Sequence, residues 1–237
     1  MSVAGRLVLI AGATSASGLA AARELRDAGA RVVAVGHDPD KLRRFAQALE
    51  TDAGPLSVGS SGAVRTEVCD LTDEGDVAAL ADRVRDADGP VDGVLHLVGG
   101  WRGGGGLAGQ SDEDYRFLER SLTALRHVSR AFDADLRASE SARTAIVSST
   151  AVERPLAGGA NYAAIKAASE AWARALAQGF AKDARDAGRP LAAASVIFRT
   201  KSLDGLEEAL AQRFADLWMT EAADLNDTIV ELTDPSL

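Results

Sequence analysis

Short, continuous apolar runs alternate along the chain with longer segments whose apolar residues recur every three or four positions. The first pattern is that of strands buried on both faces, the second that of amphipathic helices packed on them. Strands are predicted over residues 6–11, 31–35, 63–68, 90–98, 142–149 and 191–198, with a short closing strand over 228–232. Helices are predicted over 19–28, 40–50, 74–87, 112–138, 158–187 and 203–219. Strict alternation of the two predicts an α/β fold: a doubly wound, mainly parallel sheet with helices on both faces, in three layers. No internal repeat and no linker divides the 237 residues, so one domain is expected. A Gly/Ser-rich connection over residues 51–62 reads as a surface loop.

In such a sheet, ligands bind beyond the carboxyl ends of the strands, so the segments leaving those ends carry the chemistry. The first strand runs into Gly12-Ala13-Thr14-Ser15-Ala16-Ser17-Gly18 and then a helix. Backbone N–H groups at that helix start can hold a pyrophosphate, and glycine lets it approach closely. Ala16 stands where a third glycine would be expected, a change of one methyl. The second strand ends in Gly36-His37-Asp38. Gly36 brings no carboxylate and His37 can meet a phosphate, which favours NADP. Asp38 can face the ribose hydroxyls of NAD or cap the next helix. The balance tilts slightly to NADP, with NAD open. After the third strand, Asp70 and Leu71 can contact adenine, or Thr72 and Asp73 can simply cap the following helix. The fourth strand leads through Val98 into a glycine run, Gly99-Gly100-Trp101-Arg102-Gly103-Gly104-Gly105-Gly106. Trp101 and Arg102 are its large groups; they can orient a substrate, or Trp101 can pack locally.

Tyr162 and Lys166 lie four apart on the second long helix, and so share a face. An ammonium beside a phenol lowers its pKa from about 10 towards neutrality, making a general acid/base for a carbonyl/alcohol pair. Ser149, at the end of the fifth strand, can polarise the same oxygen. Chance yields such a Tyr–Lys spacing in about 3% of chains of this content. The other tyrosine, Tyr115, has Glu119 at the matching position.

The net charge is −9 and no basic stripe appears, which argues against nucleic acid as a partner. One cysteine, Cys69, rules out an internal disulfide and fits a reducing cytoplasm. The three histidines do not pair with Cys or acids at ligand spacing, so no metal site is expected. No apolar run reaches membrane-spanning length, and the first residues lack a signal-peptide pattern.

Together, Gly12 and Gly18, Asp70-Leu71, Ser149, Tyr162 and Lys166 resemble, in order and spacing, the short-chain dehydrogenase/reductase family in its compact single-domain branch. The resemblance implies a Rossmann-type fold with a seven-stranded sheet and NAD(P) as cofactor. It implies Tyr162 as general acid/base, Lys166 as its pKa-lowering partner and holder of the nicotinamide ribose, and Ser149 as hydrogen-bond donor to the substrate oxygen. Ser121 stands where the family has a helix Asn that helps a water relay protons to the Lys. His96-Leu97-Val98-Gly99 replaces the family's Asn-Asn-Ala-Gly, and Arg199-Thr200-Lys201 lacks its Pro-Gly. Thr200 is the candidate hydroxyl for the nicotinamide amide.

The expected activity is hydride transfer between NAD(P) and a small-molecule carbonyl or secondary alcohol. The altered supporting residues keep a second reading open: a weakly active or inactive dinucleotide-binding regulatory or structural protein on the same fold. The short stretch after the sixth strand, 202–214, suggests an open site or a small substrate. The alanines of the second long helix permit close pairing of copies, hence a homodimer or homotetramer through the two long helices.

Overall fold

A computed structural model describes residues 2–52 and 62–233. Seven parallel strands form one sheet in the order β3-β2-β1-β4-β5-β6-β7. They are β1 (Leu7–Ala11), β2 (Arg31–Gly36), β3 (Val64–Val68), β4 (Gly93–His96), β5 (Arg143–Ser149), β6 (Ala194–Thr200) and β7 (Thr228–Glu231). The helices are α1 (Ala16–Asp27), α2 (Pro39–Asp52), α3 (Glu74–Asp88), α4 (Asp112–Ala131), α5 (Asp133–Ala138), α6 (Ala160–Asp186), α7 (Glu207–Asp216) and α8 (Ala222–Leu225). The α/β reading and the seven-stranded sheet hold. Most of the predicted 51–62 connection lies outside the described residues.

The core has two halves, one on each face of the sheet. Leu25 of α1, Phe45 of α2 and Phe214 of α7 join Val8 and Ile10 on one face. Leu80 of α3, Val128 of α4 and Phe180 of α6 join Leu7 and Leu9 on the other. The two alternating sets of β1 therefore both find apolar partners, as a doubly covered strand requires. Trp218 is fully buried; its ring meets Phe214 edge-on at 5.5 Å and its Nε1 donates to the Ser141 carbonyl at 2.8 Å. A Cβ on Gly93 would sit 2.7 Å from that indole, so β4 starts with the residue that makes room for it.

Several predicted boundaries move, and four elements show the physical reason. β4 is shorter than predicted because its ladder ends when Leu97 N–H bonds the Ala11 carbonyl, after which the chain leaves the sheet. β6 ends later, since its register with β5 continues through Ser148 opposite Arg199 and Ser149 opposite Thr200. Arg199 and Thr200 are therefore buried strand residues, where the sequence suggested a loop. The first long helix bends at fully buried Phe132, whose φ of −104° and ψ of 6° depart from helical values. The last helix starts only after a turn at Gly205, where φ is +81°, and ends in a tighter 3-10 turn over Leu217–Met219. Among the described residues, no helix is long and apolar enough to cross a membrane.

Candidate active site

Sheet order reverses direction between β1 and β4, and the functional segments gather at the carboxyl ends beside that point. Gly12 adopts φ +86°, and its N–H and that of Ala13 both donate to the Val35 carbonyl, at 3.0 and 2.9 Å. A Cβ there would lie 2.9 Å from the Val98 nitrogen, so the turn requires glycine on two counts. Ser15 caps α1 by accepting from the Gly18 N–H at 3.1 Å. A Cβ on Gly18 would come within 2.1 Å of the Ala13 carbonyl oxygen. Gly18 thus lets the helix close onto the loop.

This turn borders a groove of about 510 Å³, lined among others by Gly12, Thr14, Ser15, His37, Asp70, Leu71 and Ser121. A second cavity of about 220 Å³ continues it and shares Ser15, Val98, Gly99 and Gly100. Ser17, His96, Trp101, Tyr162, Lys166 and Leu203 are among its other lining residues. Most predicted cofactor contacts are therefore brought together. Ala16 and Gly18 shape the turn from behind and line neither space. Thr200 lies apart, on a separate depression with Lys201 and Ser202, because β6 carries it into the sheet and its hydroxyl donates to the Ser202 carbonyl at 2.7 Å.

Two of the candidate helix caps form beside the groove. Asp38 caps α2, accepting from the Asp40 and Lys41 N–H groups at 2.9 and 3.1 Å, which holds its carboxyl below the usual range. Asp73 caps α3 through the Asp76 N–H at 2.8 Å, leaving Asp70 on the groove wall, bonded to Thr72. The bonds to Thr72, and to a smaller degree the Arg120 guanidinium, lower the Asp70 pKa. Lys41 and Arg120 also line the groove. Sequence reasoning missed both: one sits in the first turn of α2 and the other on α4, far from any motif.

Around the Tyr–Lys pair, Lys166 Nζ donates to the Val147 carbonyl at 2.8 Å and lies 5.7 Å from the centre of the Tyr162 ring. Burial brings its pKa down to about 8, against the pull of Glu170. Burial also pushes the Tyr162 phenol up, and the hydrogen bond with Ser149 works the other way. Lys166 itself is not among the influences on the phenol in this arrangement. Burial outweighs the Ser149 hydrogen bond, and the ammonium is directed at a backbone carbonyl.

Ser121, the candidate for the water relay, lines the Gly12 groove. Its hydroxyl donates back to Leu118 O at 2.7 Å, and its carbonyl meets His96 Nε2 at 3.1 Å. His96 is buried and its pKa falls to about 4, so the ring is neutral at pH 7. Behind the trio, Glu170 continues the spacing of Tyr162 and Lys166 by another four residues. It accepts from Ser148 Oγ at 2.6 Å and from Arg199 at 2.8 and 3.2 Å. Arg199 and Glu170 side chains are each 6% exposed, and Arg199 also pairs with Glu153. The i, i+4, i+8 spacing was the available signal for Glu170.

The profile of the family described as "short chain dehydrogenase" matches residues 6–184, well over half the chain. The "Putative daunorubicin C-13 ketoreductase DnrU" of Streptomyces sp. strain C5 is 40% identical over 96 residues, covering 40% of this chain and 31% of that protein. The chain thus matches less than a third of the length of that curated relative. Among solved structures, a short-chain dehydrogenase/reductase from Mycobacterium ulcerans superposes with TM-score 0.83 at 21% identity, covering 98% of this chain and 90% of the other. A metagenomic short-chain oxidoreductase in complex with NADP superposes with TM-score 0.81 at 24% identity, covering 99% and 100%. The chain belongs to the short-chain dehydrogenase family of NAD(P)-binding oxidoreductases.

Proposed function

We propose that this protein interconverts a carbonyl and a secondary alcohol with NADP as its preferred cofactor and Tyr162 as general acid/base. The observation that carries the reading is the meeting of Tyr162 and Lys166 with Gly99 and Gly100 in one cavity, continuous with the Gly12 groove. The residues fit a dinucleotide: a glycine turn that a Cβ would obstruct, and a groove of about 510 Å³ that runs on into the Tyr162 cavity. Gly12, Thr14 and Ser15 would hold the pyrophosphate, and Asp70 and Leu71 the adenine. The preference for NADP follows from His37 and Lys41 on the wall near the β2 end, with Asp38 engaged in capping.

When bound, the nicotinamide supplies or accepts the hydride. In the reducing direction, the Tyr162 hydroxyl gives its proton to the substrate oxygen while Ser149 donates a hydrogen bond to that oxygen. Lys166 is cationic below about pH 8, and its charge favours the phenolate that proton transfer leaves behind.

The test is Tyr162→Phe. Turnover of NADPH with a carbonyl panel is expected to fall by about 10²- to 10⁴-fold. NADPH binding, measured by fluorescence titration and tighter than that of NADH, is expected to stay within about twofold. Wild-type turnover by the variant would remove Tyr162 from the mechanism.

A further inference from the structure

One side of the Tyr162 cavity is walled by the glycine run, and the proton chemistry above uses none of its large side chains. Trp101 lines the cavity together with Tyr162 and Lys166, yet is 62% exposed. An indole left in water at the edge of a cavity is an unmatched apolar surface, the kind that marks a ligand-binding groove. It does not stand alone. Leu107, directly after the run, is 69% exposed, and Leu156 is 74% exposed on the connection between β5 and α6. Leu203 lines the cavity as well.

Both connections are held rigidly against each other. Gln110 Nε2 donates to the carbonyls of Gly104, Gly106 and Gly158 at 3.1, 3.3 and 3.0 Å, while its Oε1 accepts from the Asn161 N–H at 3.1 Å. Gly104 N–H adds a 2.7 Å bond to Gly158 O. A Cβ on Gly103 would lie 2.4 Å from that same carbonyl and 3.1 Å from the Trp101 ring, so the indole stands beside the seam. Asn161 immediately precedes Tyr162, so the wall is tied to the helix that presents the phenol. The Arg102 guanidinium stacks 4.0 Å over the Phe117 ring, which draws the run's one charge towards the cofactor groove. Among the described lining residues of the Tyr162 cavity, none is acidic and Lys166 is the one strong base.

Resting on the oxidoreductase reading, we propose that Trp101 is a stacking platform and that the substrate class is a carbonyl or alcohol borne on a flat, apolar ring system. The ring lies against the indole, with Leu203 available as a further apolar wall, and its oxygen points to Tyr162 and Ser149. Of the two expectations, an open site or a small substrate, this takes the first, with Trp101 of the glycine run as an apolar wall for a larger substrate. A compact polyhydroxylated substrate would leave the indole uncovered and would find few acceptors on these walls.

Steady-state kinetics with NADPH, comparing 1-tetralone with a compact aliphatic ketone such as 2-butanone, tests this in wild type, Trp101→Ala and Trp101→Phe. Wild type is expected to favour tetralone in kcat/KM by at least about tenfold. Trp101→Ala is expected to lose about 10- to 100-fold on tetralone, mainly through KM, and to change butanone and NADPH affinity by less than about threefold. Trp101→Phe is expected to restore most of the tetralone rate. Equal losses on both ketones, or none, overturn the proposal. If neither ketone turns over while NADPH binds, the oxidoreductase reading fails instead. Calorimetric titration of tetralone into the protein–NADPH complex then decides the platform: binding lost in Trp101→Ala upholds it, and binding that ignores the substitution, or none at all, overturns it.

Discussion

Lys166 is held where an ammonium is poorly solvated, with Val147 O as its hydrogen-bond partner and Glu170 nearby. Its folded pKa of about 8 lies below the ordinary value of 10.5. The folded state therefore binds fewer protons than the unfolded chain between those two values. Stability rises with pH through that window, and below about 8 the charged side chain carries its full penalty. Discounted for the part of the residue that faces the open cavity, that penalty is about 2 kcal/mol. Lys166→Met is expected to stabilise the protein at pH 7 by about 1–2 kcal/mol in urea unfolding while abolishing turnover. The gain should shrink as the titration moves from pH 7 towards pH 10. A variant less stable than wild type at pH 7 would show that the ammonium is not strained by burial. The Tyr–Lys spacing was legible because a helix face needs only a count of four. The direction of the phenol's pKa was not, since it depends on desolvation by residues scattered through the chain.

At the scale of elements, the Glu170–Arg199 pair fastens α6 to the ends of β5 and β6. Through Ser148 it fixes the residue before Ser149, and from one helical turn away it supports the charge of Lys166. Breaking a buried pair from one side leaves a charge without its partner. Glu170→Gln is expected to cost about 3 kcal/mol, with Glu153 and Glu231 softening the loss at Arg199. It should also carry the alkaline limb of the pH–rate profile to lower pH, because one influence that raises the Lys166 pKa is gone. The double variant Glu170→Leu/Arg199→Met should be more stable than either single change when measured by thermal unfolding. An unmoved alkaline limb would confine Glu170 to a structural part. The strands and helices themselves were readable because β1 and β2 are almost wholly buried and so almost wholly apolar. Arg199 broke that logic. A charged residue reads as loop unless its partners are visible, and Glu170 and Glu153 lie 29 and 46 positions away.

Across the whole molecule, the sheet serves to bring the ends of β1, β2, β4 and β5 to one edge, so distant motifs share one trough. The opposite region is tied by Arg143, 1% exposed, whose guanidinium donates to the carbonyls of Ala142, Ala192, Leu217 and Thr220. That arrangement draws the chain after α7 back onto the sheet with no carboxylate in contact among the described residues, and burial lowers the Arg143 pKa. No local pattern announces it, since its acceptors are backbone atoms of segments up to 77 residues distant. The trough, by contrast, was foreseen in outline, because a glycine turn after a buried strand specifies its own geometry.

The chain's single cysteine lies on the floor of that trough. Cys69 is 3% exposed, and burial pushes its thiol up to about 11. At pH 8 it is almost entirely protonated and out of reach, so an aromatic disulfide reagent can modify it only when the region around β3 and α3 swings open. With one thiol per chain, the colour released is a single-hit clock for that opening. A dinucleotide that occupies only the closed form slows the clock by 1 + [L]/Kd, about 100-fold at a hundred times the dissociation constant. Run with NADP and then with NAD, the same clock ranks the two nucleotides without any turnover. A labelling rate indifferent to both would mean that the nucleotide does not close over Cys69.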